Sequence, residues 1–294
     1  MRIMVTGGSG LLGSRIAKMA LDAGHEAISG YAHNLPEFGE AVLLDLTDIQ
    51  GVSATVARSQ PDVIVHSAAL TDVDKCENDR DLARRINVLG TKAVAEAAEA
   101  SGAHLIYIST DYVFDGVQGN YSEADEVRPI NYYGQTKLIG EKYCSCVART
   151  CVIFGSRPAS GKVNFALWII NKLRARETIR IVTDQYLTPT LNTNLAEMVL
   201  ELADKRLGGI YHLAGATRIS RYDFAVRLAR EFGLDESLIS PSKMADMKWA
   251  ARRPDDSSLC TAKAALCLDH KPYEIEEAFR VLRSEMESCC QELS

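Results

Sequence analysis

The first half of the chain alternates short apolar β-rich runs with stretches of helical period, a pattern that predicts a parallel sheet flanked by helices. Residues 2–6 read as a strand, and 11–23 as an amphipathic helix ending at Gly24. Short strands follow at 26–29 and 41–44, then a helix over 48–59 stopped by Pro61. Residues 62–66 form an apolar strand. The Ala- and Glu-rich stretch 82–100 is a strong helix former that closes at Gly102. The next strand is 104–109, followed by a turn-rich segment with Asp115-Gly116 and Gly119-Asn120. A helix over about 131–144 and a strand over 147–152 complete this run.

Beyond Gly155 the pattern loosens. Helices are expected at 163–176, 192–203, 221–232 and 273–287, with short strands at 179–182 and 210–213. The expected architecture is α/β: a Rossmann-type doubly wound parallel sheet in a dinucleotide-binding domain over 1–155, with returning elements near 184–213. A smaller interleaved α/β substrate domain is expected from 156–183 and 214–294. No internal repeat or low-complexity tract is visible.

Composition narrows the class. The 294 residues are 47% apolar and 24% charged, ordinary for a soluble globular chain, which excludes disorder, collagen-like repeats and coiled-coil rods. The net charge of -6, with no Lys/Arg run longer than two, argues against nucleic acid or an anionic membrane as partner. No stretch reaches the roughly 18 apolar residues of a membrane span. The N-terminus lacks the apolar run and cleavage site of a secretory signal, so a cytoplasmic protein is expected. Among the eight cysteines, Cys144-Ser145-Cys146 and Cys289-Cys290 fit neither zinc-ligand spacing nor a disulfide framework, and thiols are expected throughout.

Chemistry enters at the first strand-to-helix turn, Thr6-Gly7-Gly8-Ser9-Gly10-Leu11-Leu12-Gly13. Gly7, Gly10 and Gly13 are spaced G-x-x-G-x-x-G: one glycine for the tight turn, one for approach of a pyrophosphate, one for close helix–strand packing. The helix N-terminus behind them offers unpaired N–H groups to phosphate. A P-loop reading is weak, because Ser14 follows Gly13 where a phosphate-binding lysine would stand. The second strand ends Ser29-Gly30-Tyr31-Ala32-His33-Asn34, with no carboxylate to repel a 2′-phosphate and no arginine to clamp one. NADP(H) and NAD(H) both stay open, with His33 or Asn34 available to contact the extra phosphate of NADP(H). Asp45, with Leu46 beside it, is placed to meet the adenine edge.

A proton-transfer set follows downstream. Thr110 ends the fifth strand, and Tyr133 and Lys137 lie four apart on the next helix, hence on one face. Tyr132 is rotated to another face. An adjacent cation and an oxidised nicotinamide favour the phenolate, tuning Tyr133 to exchange a proton near neutral pH. Thr110 would orient the same substrate oxygen, and Asn87 would hold a water that relays protons behind Lys137.

On these residues the chain resembles the extended short-chain dehydrogenase/reductases, and within them the dTDP-4-dehydrorhamnose reductases. The matching stretches run nearly end to end. They include Gly7 to Gly13, Ala68-Ala69-Leu70-Thr71-Asp72-Val73-Asp74-Lys75, Asn87-Val88, Ser109-Thr110-Asp111-Tyr112-Val113-Phe114 and Tyr133-Gly134-Gln135-Thr136-Lys137. Gly140-Glu141-Lys142, Arg149-Thr150, Asn164-Phe165, Asp184-Gln185-Tyr186, Pro189-Thr190 and Arg253-Pro254 continue them.

The resemblance implies hydride delivery from NAD(P)H to the C4 ketone of a nucleotide-linked 6-deoxy-sugar. Tyr133 would be the proton donor, Lys137 would bind the nicotinamide ribose, and Ala68 and Ala69 would line the cofactor cleft. Thr71, Val73, Asp111, Tyr112, Asn164, Gln185, Tyr186 and Arg253 would grip the substrate, Arg253 at its diphosphate. Cys151 and Val152 replace the Ser-Trp pair usual after Arg149-Thr150, and Arg15 replaces a glutamate that some members use for an interface metal, so no metal is carried over. Asp111-Tyr112 lacks the Asp-Glu of dehydratases. A homodimer is open. Two other readings stay open: a sugar-nucleotide 4-epimerase, and a non-catalytic NADP-binding regulatory subunit like the methionine adenosyltransferase β subunit.

Overall fold

Strand β1 (Arg2–Thr6) is buried from Ile3 onward, and its side chains alternate between two cores: Ile3 and Val5 on one face, Met4 on the other. Behind it come α1 (Leu11–Asp22), β2 (Glu26–Tyr31), β3 (Glu40–Leu43), α2 (Ile49–Ser59) and β4 (Val63–His66). Next are α3 (Val73–Asn78), α4 (Arg80–Arg84), α5 (Thr91–Ser101), β5 (His104–Thr110), α6 (Tyr132–Glu141), β6 (Cys146–Thr150) and β7 (Ile153–Phe154). The second half adds α7 (Phe165–Arg174), β8 (Ile179–Val182), β9 (Tyr186–Leu187), β10 (Thr190–Leu191), α8 (Asn192–Asp204) and β11 (Gly209–His212). It closes with β12 (Ile219–Ser220), α9 (Arg221–Glu231), β13 (Ile239–Ser242), α10 (Ala262–Cys267) and α11 (Ile275–Gln291). This computed structural model describes residues 1–159 and 162–291, the side chains of 289–291 excepted.

Among the described residues the central sheet has seven strands in the order β11-β6-β5-β4-β1-β2-β3, every neighbouring pair parallel. It is the doubly wound Rossmann-type sheet expected from the sequence. The strand order reverses between β1 and β4, which opens a crevice beyond their carboxyl ends, where Thr6 pairs with His66. One core lies between the sheet and α1 and α8 (Ile16, Leu195, Met198), the other between the sheet and α2 and α5 (Val52, Val56, Val94). A third apolar cluster, centred on Phe154, Phe224 and Phe279, also takes in Val113, Phe114 and Cys151 from the first half.

Helix starts follow local chemistry. The side chains of Asp48, Asp72, Asp79, Asn131, Asn164 and Ser220 each accept a first-turn amide and cap the helix that follows. The helix expected over 82–100 is corrected: it is α4 and α5 joined by a π-helical stretch, Arg85–Gly90. Two packing facts mark this wider turn. Asn87 is buried, and a Cβ at Gly90 would stand 2.7 Å from the Leu46 Cβ. Cys76, Cys144, Cys146, Cys151, Cys260 and Cys267 are free thiols, whereas Cys289 and Cys290 lie outside the described side chains.

Candidate cofactor cleft and proton-transfer site

The three glycines of the first turn have separable tasks. Gly7 sits at φ +71°, with Ala68 packed so closely that a Cβ would come within 3.0 Å of its Cα. A Cβ on Gly13 would lie 2.1 Å from the Gly7 carbonyl oxygen, so this residue sets the contact of α1 with the turn. A Cβ on Gly10 would meet only that same oxygen, at 3.1 Å, and otherwise open space. Helix α1 begins at Gly10 with no side-chain cap and no acid in its first turn. The amides of Leu11, Leu12 and Gly13 are therefore left to an anion, and the cradle fits the pyrophosphate of a dinucleotide.

Below the cradle, Thr6 Oγ1 hydrogen-bonds His66 Nδ1 (2.7 Å), and His66 Nε2 meets Thr91 Oγ1 (3.0 Å). The Ala68 amide donates to Thr6 Oγ1 at 3.1 Å, which places Ala68 and Ala69 beside the glycine turn. Asn87 accepts from the Leu70 amide (2.8 Å) and donates to the Leu70 carbonyl (3.1 Å) and Thr136 Oγ1 (3.0 Å). It thus ties this loop to α6. Both amide hydrogens are committed, so the relay water expected there would find only an acceptor.

Burial pushes the His66 imidazole down to about 3 and that of His212 down to about 4. Both stay neutral in the fold while the unfolded chain protonates them below about pH 6.5. Their contribution is therefore complete above that pH and is lost as the pH falls toward 4. The expected loss between pH 7 and pH 5 is about 4 kcal/mol for the two together. Urea unfolding at the two pH values measures it, and equal stabilities would contradict the burial argument.

At the adenosine end, the Asp45 carboxylate accepts from the Thr47 amide and hydroxyl, each at 2.8 Å. These bonds, the amide first, hold it below the usual carboxylate range, with help from the charges of His33 and Arg85. His33 and Asp45, expected from separate strands, are thus neighbours, while Asn34 is exposed on the His33 loop and Leu46 is buried against Gly90. Arg85, ion-paired with Asp81 at 3.1 Å, is the cation whose charge is felt at Asp45. It arrives from the π-helical stretch, and no local signal in the sequence pointed to it.

Helix α6 carries the proton-transfer pair. Asn131 Oδ1 accepts from the Gly134 amide at 2.9 Å and fixes its start. The Tyr133 ring lies edge-on to Tyr112 with centroids 6.1 Å apart, and its phenol is near enough to Thr110 to feel that side chain. Tyr132 faces elsewhere, its ring under the Arg80 guanidinium. Lys137 is only 3% exposed; its Nζ donates to the Ile108 carbonyl at 2.7 Å and stands 4.1 Å from the Tyr107 ring centre. Burial pulls the Lys137 ammonium down to about 7.

Burial raises the Tyr133 phenol above its ordinary value, and the Thr110 side chain opposes the rise only in part. The chain by itself holds a protonated phenol.

Around this pair the residues expected at a substrate divide into two groups. Asp111 is buried; its carboxylate accepts from Ser257 Oγ (2.5 Å), Cys151 Sγ (3.1 Å) and Thr110 Oγ1 (3.1 Å), and burial raises its pKa. Tyr112 is buried beside it, Thr71 is exposed, and Val73 is half-buried at the start of α3. Arg253 is no loose surface cation. It is 11% exposed, 3.0 Å from Asp74 and stacked on Trp249. Gln185 is buried and accepts from Arg221 Nε at 2.5 Å, while the Tyr186 ring carries the Arg218 guanidinium at 4.1 Å.

Asn164 has another task. It accepts from the Leu167 amide and donates to the Gly155 carbonyl, so it starts α7. Sequence reasoning did not single out Arg221 or Ser257 as site residues, because both are brought in by the chain's return in its second half. Arg15 is ion-paired with Glu285 at 2.7 Å. Among the described residues no group of three or more His, Cys, Asp or Glu is arranged to hold a metal, and no helix is long and apolar enough to cross a membrane.

Compared with known proteins, residues 1–287 match the family described as RmlD substrate binding domain. The chain belongs to this family. One family-like relative, the probable low-salt glycan biosynthesis reductase Agl14 of Haloferax volcanii, is 34% identical over 268 residues, 88% of this chain and 89% of the relative. The dTDP-4-dehydrorhamnose reductase of Bacillus anthracis, solved in complex with NADP, superposes with a TM-score of 0.87 at 30% identity, covering 97% of this chain and 99% of that one. Methionine adenosyltransferase 2 subunit beta of Danio rerio is 31% identical over 292 residues, 95% of this chain and 89% of the relative. The resemblance seen in the motifs therefore holds over nearly the whole length.

Proposed function

We propose that this protein is an NAD(P)H-dependent reductase of a nucleotide-linked 4-keto-6-deoxy-sugar, dTDP-4-dehydrorhamnose being the leading substrate. The observation that carries the reading is the convergence of Thr110, Tyr133 and Lys137 beside an uncapped glycine cradle at the sheet's reversal point. A nicotinamide cofactor, when bound, supplies the hydride. The first-turn amides of α1 hold its pyrophosphate, with Ala68 and Ala69 along the cleft and His33, Asn34, Asp45, Leu46 and Arg85 around the adenosine.

Tyr133, protonated in the fold, gives its proton to the alkoxide forming at the sugar C4 oxygen, which Thr110 orients. Lys137 presents its ammonium to the nicotinamide ribose and lowers the cost of the phenolate left behind. Asn87 positions the cleft loop. Arg253, held by Asp74 and Trp249, faces the diphosphate, with Asp111, Tyr112, Gln185, Tyr186, Thr71 and Val73 shaping the sugar side. Asn164 acts through the start of α7. We read segments 156–183 and 214–294 as the sugar-binding part, a reading supported by the third core that helices α7, α9 and α11 share. Free thiols at six positions suit a cytoplasmic enzyme.

Purified protein given dTDP-4-dehydrorhamnose is expected to oxidise NADPH or NADH, with the pyridine absorbance consumed in proportion to product. The subunit-beta relative supports a second reading, a regulatory NADP-binding partner of another enzyme. Absence of turnover on every 4-keto sugar nucleotide, together with binding to methionine adenosyltransferase, would replace the first reading by the second.

A further inference from the structure

Three elements carry the proton-transfer residues: β5 ends in Thr110, α6 carries Tyr133 and Lys137, and β6 runs beside β5. One buried ion pair joins them. Glu141, the last residue of α6, accepts from Arg149 of β6 through both oxygens (Nε at 2.9 Å, Nη2 at 2.8 Å), and from Ser109 of β5 at 2.6 Å. The two charged side chains are 3% and 7% exposed. Arg149 also lies over the Phe114 ring at 5.2 Å, and its Nη1 has no partner among the described residues.

An ion pair taken out of water is a poor source of stability, since desolvation opposes the Coulomb gain. Its value is geometric: a bidentate fork fixes orientation as well as distance. We infer that Glu141, clamped by Arg149 and Ser109, is a positioning residue for Lys137, fixing the end of α6 and setting its carboxylate one helical turn from that ammonium. The inference rests on the role given to Lys137 above.

The surroundings make the charge count. Lys137 is faced by His66 from β4, Tyr107 from β5, Cys76 from α3 and Cys144 just beyond α6. Near neutral pH these are uncharged: burial pushes His66 down to about 3, both thiols up to about 12 and the Tyr107 phenol upward. Tyr133, on the same helix, is also protonated. Glu141 is then the ionised group opposing the loss of the Lys137 proton in this set. Removing its charge lowers the pKa of Lys137 further, so the ammonium disappears at a lower pH.

The test compares wild type, Glu141→Gln and the neutral replacement Glu141→Gln/Arg149→Met, which leaves no unpaired buried charge if the single variant fails to fold. NADPH affinity is titrated by fluorescence from pH 6 to pH 9, and the pH profile of kcat/KM is recorded beside it. In Glu141→Gln, where Arg149 keeps its charge, the alkaline fall in both quantities is expected to move to lower pH by about half a unit or more, making NADPH binding at pH 8 roughly threefold weaker or worse relative to pH 6 than in wild type; the double variant, which removes both charges of the pair, moves less. Alkaline limbs that superimpose on wild type in folded Glu141→Gln, or, where only the double variant folds, NADPH affinity and kcat/KM equal to wild type from pH 6 to pH 9, overturn the inference. The NADPH titration needs no sugar, so a wild type inactive on every keto sugar would retire the substrate assignment while leaving this result to stand or fall by itself.

Discussion

Tyr133→Phe is expected to lower kcat on the keto sugar by on the order of 10²-fold or more, with NADPH affinity close to wild type. The substitution removes one oxygen. The ring keeps its edge-on contact with Tyr112, and α6 keeps its Asn131 cap, so neither the helix nor the cleft has reason to move. What disappears is the proton that burial keeps on the phenol at neutral pH. Hydride transfer then builds an alkoxide with no donor in reach, which acts on kcat rather than on cofactor binding. Steady-state turnover and a fluorescence titration of NADPH, run on the same preparation, separate the two. Turnover within a fewfold of wild type would remove Tyr133 from the chemistry.

The parts of this site that were legible in the sequence are those fixed by local rules. The glycine spacing names the turn because Gly7 needs φ +71° and Gly13 needs an absent Cβ. Tyr133 and Lys137 share a face because the helical period puts them there, and Asp48, Asn131 and Ser220 announce helices because each caps one. What sequence reading missed is set by tertiary packing. The stretch 82–100 has helical composition throughout, and nothing local in it signals the π-helical turn.

Strands of two residues, such as β7, β9, β10 and β12, are too short for an alternation to show. Ser257 reaches Asp111 across a separation of 146 residues, so only the fold reveals it. Spacing predicts a cation beside Tyr133, but burial and the Ile108 carbonyl decide where that cation's hydrogen bonds go.

Gly10→Ala and Gly13→Ala, three residues apart in one turn, are expected to fail in opposite ways. At Gly10 a methyl group meets only the Gly7 oxygen at 3.1 Å, and the backbone there is extended, so the fold accommodates it. The methyl instead occupies the open side of the cradle, where a pyrophosphate must approach the α1 amides. NADPH affinity should fall by roughly 10²-fold, the scale of about 3 kcal/mol of lost anion contacts, with a melting temperature near wild type. At Gly13 the methyl would sit 2.1 Å from a backbone oxygen that has no rotamer to change. Turn and helix must then separate, at a cost of about 3 kcal/mol or more in an already packed core. That variant should unfold earlier in urea as well as lose the cofactor. The contrast is read by pairing a denaturation curve with an NADPH titration for each protein. Should Gly10→Ala bind NADPH as wild type does, the dinucleotide does not lie over the α1 N-terminus, and the cleft assignment falls with it.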